Sequence, residues 1–288
     1  MYTTLISAAQ LRSLLNSGAP CMVFDCSCDL MQPALGRGQY REAHVPGAVY
    51  ADLDTALSAK GDRAVTLAQS GGRHPLPSRA NFAAWLGSVG FDNTMQAVVY
   101  DRQGVNYCGR LWWMLKWAGH ENVAVLDGGL QAWQAAGGRV VAGDEAPQPI
   151  AKFALAPERC ALVAIETVAS QVGRVTQTLI DARGAPRFRG EVEPIDPVAG
   201  HIPGALNRPF TSNLGADGTF KPAAVLRTEF LELLGQRDPS TVVHHCGSGV
   251  SAVPNLLAME IAGLGRTALF AGSWSEWCSD PSRPVAQG

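Results

Sequence analysis

No stretch of this chain approaches the roughly 18 consecutive apolar residues that a membrane-spanning helix needs, so no membrane segment is expected. Charge of one sign is also scarce. Lys and Arg number 23 against 25 Asp and Glu, a formal net charge of -2, and no basic run occurs. Neither nucleic acid nor an anionic membrane surface is therefore an expected partner. The start, from Met1 to Gly18, lacks a charged leader before an apolar core and a small-residue cleavage site. It reads as an amphipathic helix of the mature fold, with Ser7 and Gln10 at capping-box spacing. Zinc-ligand spacing is missing as well. Cys26 and Cys28 form C-x-C with no second pair, and His244, His245 and Cys246 are neighbours whose side chains would alternate across a strand. No metal is expected. Seven scattered cysteines, an odd number, fit free thiols in a reducing, cytoplasmic compartment rather than a disulfide framework.

What is present is self-similarity. "FDCSC" at Asp25 pairs with "LIDARG" at Asp181, and "HVPGAV" at His44 with "HIPGAL" at His201. "AVVYDRQGVNYCGRLWW" pairs with "VVHHCGSGVSAVPNLL", and "LDGGLQAW" with "FAGSWSEW". The offset is 157 residues between His44 and His201, 145 between Asp101 and Cys246, and 144 between Gly128 and Gly272. Four matches in one order indicate a duplication, and the drift falls where the first half carries the longer "SAKGDRAVTLAQSGGRHPLP" connection. The segment 141–158 has little periodicity and three prolines, as a linker should. The expected domains are 1–140 and 159–288. At 288 residues and 47% hydrophobic, the chain has the material for two ordinary cores.

Short β-branched runs alternate with helical ones in both halves, which argues an α/β fold with a parallel sheet flanked by helices in each. In the second half "TLID" and "TVVHH" read as strands, "AAVLRTEFLELLG" and "SAVPNLLAMEIAGLG" as helices ending at Gly235 and Gly263, with Pro254 in a first turn, where it is tolerated. Trp112, Trp113 and Trp117 recur at helical spacing as a core stripe, and Trp274 and Trp277 sit over the second core.

Ligands of such sheets bind at the carboxyl ends of the strands. Cys246 follows "TVVHH" at that end and precedes a helix. Gly247 and Gly249 let the chain curl, which points main-chain N–H groups inward at the positive end of the helix dipole. A cysteine at that centre is favoured as a thiolate, hence as a nucleophile. A phosphatase loop would carry an arginine six positions on, where Ala252 stands, and a protease would need a base that His244 and His245 do not supply from their strand. Sulfur transfer remains.

Taken together, the tandem "D…H-[VI]-P-G-A" halves, the "CGSGVSA" loop and the ending "GSWSEW" resemble the two-domain rhodanese-type sulfurtransferases, above all those acting on 3-mercaptopyruvate. The resemblance covers nearly the whole chain. It implies two tandem rhodanese-like domains, the second catalytic, with Asp101 where the first has lost its cysteine. Cys108 then packs inside the first domain. It further implies that Cys246 takes sulfur from the donor as a persulfide, releases pyruvate, and passes the sulfur to cyanide or to a thiol such as thioredoxin or a low-molecular-weight thiol, with no cofactor. Thiosulfate specialists resemble "CRKGVT"; the neutral Gly247 and Ser248 here favour a monocarboxylate donor, with thiosulfate the alternative and a non-catalytic sulfur-carrier module the second alternative. By the same resemblance Gly247, Gly249, Val250 and Ser251 line the donor site, and Arg187 binds the donor carboxylate unless it is a surface ion pair with Glu191 or Glu193. A second arginine about nine residues later is replaced by Ile195, Asp196 and Pro197, so that contact is missing or supplied elsewhere. Ser248, His74 and Asp54, with Asp52 competing for the last place, match the residues that handle the enolate proton. Arg183 in "DAR" is expected to hold the strand end through Asp181.

Overall fold

The computed structural model describes residues 1–60 and 69–288, so part of the long connection of the first half lies outside the described residues. The chain divides into two compact units. One comprises residues 1–59, 77–159 and 216–219; the other comprises 160–215 and 220–288 together with the stretch that ends at Leu76.

The first unit holds a sheet of β1 (Leu5–Ile6), β2 (Cys21–Asp25), β3 (Val49–Tyr50), β4 (Gln96–Tyr100) and β5 (Val123–Leu126) in the order β1-β5-β4-β2-β3. The second holds β6 (Ala161–Leu162), β7 (Thr178–Asp181), β8 (Leu206–Asn207), β9 (Val242–His245) and β10 (Ala268–Leu269) in the order β6-β10-β9-β7-β8. Position by position the two orders are the same, and every pairing is parallel. Parallel neighbours require crossovers, and the helices Arg79–Ser88, Cys108–Trp117, Ala223–Leu234 and Val253–Ile261 are among those that supply them.

The helix ends follow their sequence signals. Ser7 caps Ala8–Asn16 in a reciprocal capping box with Gln10. Ala223–Leu234 stops at Gly235, whose φ of +59° a side chain would resist, and Pro254 lies in the first turn of Val253–Ile261. "SWSEW" forms a short helix, Ser273–Trp277, with Ser273 at φ +57° at its start. Trp112, Trp113 and Trp117 are all buried, the last two stacked with centroids 5.7 Å apart, and Trp274 and Trp277 belong to the second core. Among the described residues no disulfide joins any of the seven cysteines, no helix is long and apolar enough to cross a membrane, and no group of three His, Cys, Asp or Glu side chains is placed to hold a metal.

The repeated histidines have a structural use. His44 stacks on Tyr40 and bonds its carbonyl through Nδ1 at 2.8 Å; His201 does the same with Phe188, also at 2.8 Å. The paired aspartates share a role too. Asp181, fully buried, takes a forked contact from Arg183, at 2.7 Å from Nη2 and 3.0 Å from Nε. Burial alone would raise the Asp181 carboxyl, but the Arg183 guanidinium and its hydrogen bonds bring it below the usual range. Asp25 receives its arginine from elsewhere in the chain, Arg102, at 3.1 Å.

Candidate active site

Cys246 is the first residue after β9, at the carboxyl end of the central strand of the second sheet. Its main chain is fixed on both sides. The Cys246 N–H donates to Ser273 Oγ at 3.1 Å, and its carbonyl accepts from Trp274 N–H at 3.0 Å; the Gly247 carbonyl accepts from Ser275 N–H at 2.9 Å. The loop is thus pinned to the helix Ser273–Trp277. Gly249 has φ +74°, and a Cβ there would fall 2.1 Å from the Ala271 carbonyl oxygen, so only glycine fits. The Val250 carbonyl closes the loop by accepting from Val253 N–H at 3.2 Å. Cys246, Gly247, Ser248, Gly249 and Val250 are buried, Cys246 at 2% exposure, and Ser251 is half-buried. His244 and His245 are fully buried and held neutral: burial pushes His244 down to about 3, and burial also lowers His245 although Asp181 opposes it. Both are walled inside the core, out of reach of a substrate at the loop.

A third histidine meets the loop directly. His74, 1% exposed, places Nδ1 2.7 Å from Ser248 Oγ. The segment carrying it docks on the same short helix that pins the cysteine loop. Gly71 N–H donates to Glu276 Oε1 at 3.1 Å and Arg73 N–H to Ser275 Oγ at 3.1 Å. Gly72, at φ +82°, passes so close to the Gly272 carbonyl oxygen that a Cβ would lie 2.5 Å from it.

Arg187 stands in the short helix Ala185–Phe188. It pairs with Glu193, at 2.6 Å from Nη2 and 3.1 Å from Nε, and with Asp196 at 3.1 Å. Its guanidinium also faces the cysteine loop: a Cβ built on Gly247 would lie 3.7 Å from Arg187 Nη1. The ion pair with Glu193 and the approach to the loop therefore coexist. Burial would raise Glu193, yet the Arg187 hydrogen bond and the N–H groups of Asp196 and Ile195 hold it below its ordinary value.

Asp54 lies in the first unit, in a turn whose cap is Asp52: Asp52 Oδ1 accepts from the N–H groups of Asp54 and Thr55, at 3.0 and 2.8 Å. Asp52 is thereby engaged in local structure. Sequence reasoning missed Arg73 and Asp196. Arg73 Nη1 pairs with Asp196 Oδ1, and Arg73 Nη2 comes within 2.9 Å of a Cβ built on Gly247. The available signal was the position of Arg73, adjacent to His74 in "GRHPLP". The neutrality of Gly247 and Ser248 accordingly does not mean an uncharged surround.

The first unit supplies an internal comparison. Asp101 follows β4 as Cys246 follows β9, and its carboxylate is ringed by main-chain donors: Gln103 and Val105 N–H to Oδ1 at 2.9 and 3.0 Å, Tyr107 and Cys108 N–H to Oδ2 at 2.8 and 2.9 Å. Leu130 N–H to the Asp101 carbonyl repeats Trp274 N–H to the Cys246 carbonyl, and Gly104 at φ +67° repeats Gly249. A loop of this shape coordinates an anion. Cys108, buried, is pushed far up by burial and by the nearby Asp101 charge, and stays a protonated packing thiol.

This is a strand-loop-helix site on a twice-repeated parallel sheet, with a cysteine at the strand end. Residues 7–136 and 165–280 each match the rhodanese-like domain family, and the chain belongs to that family. It is 46% identical over 285 residues to a probable 3-mercaptopyruvate sulfurtransferase of Pseudomonas aeruginosa, covering 99% of this chain and 98% of that one. It is 42% identical over 284 residues to a putative thiosulfate sulfurtransferase of Mycobacterium tuberculosis, covering 99% and 97%. Among solved structures, the 3-mercaptopyruvate sulfurtransferase from Leishmania major superposes with a TM-score of 0.81 at 31% identity, over 96% of this chain and 74% of that one.

Proposed function

We propose that this chain is a sulfurtransferase that takes sulfur from 3-mercaptopyruvate onto Cys246 and delivers it to a thiol or to cyanide. The observation that carries the reading is the convergence on one loop of Cys246, the hydrogen-bonded Ser248–His74 pair and the Arg187 guanidinium. In the first half-reaction the Cys246 thiolate attacks the donor sulfur. An S–S bond forms, the C–S bond breaks, and its electron pair leaves on carbon as the enolate of pyruvate. Ser248 hands a proton toward that enolate and His74 restores it, which turns the leaving carbanion into pyruvate; by resemblance Asp54 assists. The loop N–H groups receive the persulfide as the first unit's loop receives the Asp101 carboxylate. In the second half-reaction a thiol such as thioredoxin, a low-molecular-weight thiol or cyanide attacks the outer sulfur and frees Cys246. Neither half needs a cofactor or a metal.

Thiosulfate is a second reading, favoured by two guanidinium groups beside Gly247 and by the 42% identical relative. Steady-state rates with the two donors at equal concentration, cyanide as acceptor, decide between them. Pyruvate release together with a gain of one sulfur atom in the intact mass is the expected result. Thiocyanate formed faster from thiosulfate would transfer the reading to that donor, and neither product would leave a non-catalytic carrier.

His74→Asn gives a sharper test of the proton relay. The asparagine amide can keep the hydrogen bond to Ser248 but cannot titrate, so kcat should fall about 10²-fold or more with KM little changed. Wild-type turnover in that variant would reduce His74 to a residue that orients Ser248.

A further inference from the structure

We propose that Glu276 is a positioning residue of this site: it holds the segment that carries His74 against the helix Ser273–Trp277, and so keeps His74 in reach of Ser248. The inference rests on the sulfurtransferase reading, in which His74 relays the enolate proton, and adds to it the residue that keeps the relay in register.

The helix Ser273–Trp277 puts three polar side chains to two uses. Ser273 Oγ takes the Cys246 N–H at 3.1 Å, which fixes the nucleophile. Ser275 Oγ takes the Arg73 N–H and Glu276 Oε1 the Gly71 N–H, both at 3.1 Å, which fix the segment leading to His74. One short helix therefore references the nucleophile and the base to each other. Two glycines let the segment lie directly on it. A Cβ on Gly71 would collide with the Glu276 carboxylate, and one on Gly72 would lie 2.8 Å from Ser275 Oγ. His74 follows three residues after Gly71, with Nδ1 2.7 Å from Ser248 Oγ, so a shift of Gly71 is passed over a short span to the imidazole.

The first unit shows the same helix without this duty. At the offset of 144 that relates Gly272 to Gly128, Ser273, Ser275 and Glu276 correspond to Gly129, Gln131 and Ala132. Helix Gly129–Ala135 forms nonetheless, and Ala132 N–H bonds the Gly128 carbonyl as Glu276 N–H bonds the Gly272 carbonyl. The turn does not need a carboxylate to fold; the copy with the nucleophile has one. A cavity of about 290 Å³, lined by Gln69, Ser70, Val163, Glu166, Gly272 and Glu276, lies beside the segment. On that side hydrogen bonds, rather than close packing, decide where the backbone rests. A bond from an N–H to a carboxylate is of the stronger, charge-assisted kind. Burial raises the Glu276 carboxyl, and the Gly71 N–H opposes the rise.

The test is a double-mutant cycle on mercaptopyruvate turnover with cyanide as acceptor, in wild type, Glu276→Ala, Glu276→Gln, His74→Asn and the double variant His74→Asn/Glu276→Ala. Glu276→Ala should lower kcat about 10–100-fold, the cost of a misplaced catalytic group. Glu276→Gln, whose amide oxygen still accepts the Gly71 N–H, should regain most of that loss. In the His74→Asn background Glu276→Ala should cost less than about 2-fold, because the relay it serves is already gone. A Glu276 that only supports the fold would cost the same factor in both backgrounds. Equal factors, or full turnover in Glu276→Ala, overturn the inference while leaving the sulfurtransferase reading intact. Should Glu276→Ala fail to fold, Ser275→Ala removes the second tie and carries the same cycle. A wild-type protein that releases no pyruvate overturns the reading itself, and undiminished turnover in His74→Asn overturns the relay on which the inference stands.

Discussion

Replacing Cys246 with serine will stop sulfur transfer while leaving the fold in place. The substitution exchanges sulfur for oxygen at one buried side chain, and the contacts that fix this residue are main-chain ones: its N–H on Ser273, its carbonyl under Trp274 N–H. Neither depends on the side chain, so thermal stability should change by no more than about 1 kcal/mol. Chemistry is another matter. A serine hydroxyl at this position has no adjacent base aimed at it, because His74 is engaged with Ser248 and both strand histidines are fully buried in the core. An oxygen nucleophile would also have to form an S–O bond in place of a persulfide. Pyruvate release should therefore drop to the uncatalysed background and the one-sulfur mass gain should vanish. The readouts are the pyruvate assay and intact mass after donor addition, beside a melting curve. Residual turnover in Cys246→Ser well above background would remove the nucleophile from the mechanism, and a loss of melting temperature would make the activity result uninterpretable as chemistry.

How far this site could be read from the chain depends on how local each part is. The strand-loop-helix around Cys246 is a contiguous stretch of the sequence, and the glycine, proline and valine signals within it act over a few residues, so they were legible. The duplication was legible because order and spacing survive where sequence identity does not. Arg73 was not. It meets Asp196, 123 residues away, and the Gly247 backbone, and no periodicity encodes that pairing. Asp25 and Asp181 make the same point inside one molecule. They are equivalent in the repeat, yet one takes its arginine from two residues on and the other from Arg102 after the next strand in the sheet. What the fold conserves is a cation at a place, and the chain position that supplies it is free to move. The "H-[VI]-P-G-A" motif likewise marked the repeat, but the stacking of His44 on Tyr40 and His201 on Phe188 is a tertiary property.

Asp101→Ala should destabilise the first unit more than any other single change considered, by about 3–5 kcal/mol. The Asp101 residue is 1% exposed and its carboxylate accepts four main-chain N–H groups from one loop. Removing it leaves those donors aimed at an empty centre, and a buried donor without an acceptor costs the desolvation of that group. Asp101→Asn should fall between, since an amide presents one acceptor oxygen and turns an NH₂ toward donors already there. The order Asp, Asn, Ala in chemical-denaturation midpoint is the expected result, read on a probe of the first unit, because a chain of two units need not unfold in a single step. A further readout isolates the cause. If the loop is an anion seat, the hole in Asp101→Ala should accept formate, and stability should rise with formate concentration as expected for a ligand that binds only the folded state, while wild type gains nothing comparable. Equal midpoints for the three proteins, or formate raising all of them alike, would show that the ring of N–H groups has no special affinity for negative charge. The same ring is what the proposal asks of the Cys246 loop. The first unit, which holds its anion covalently, is therefore the place where that physical premise is tested without any turnover at all.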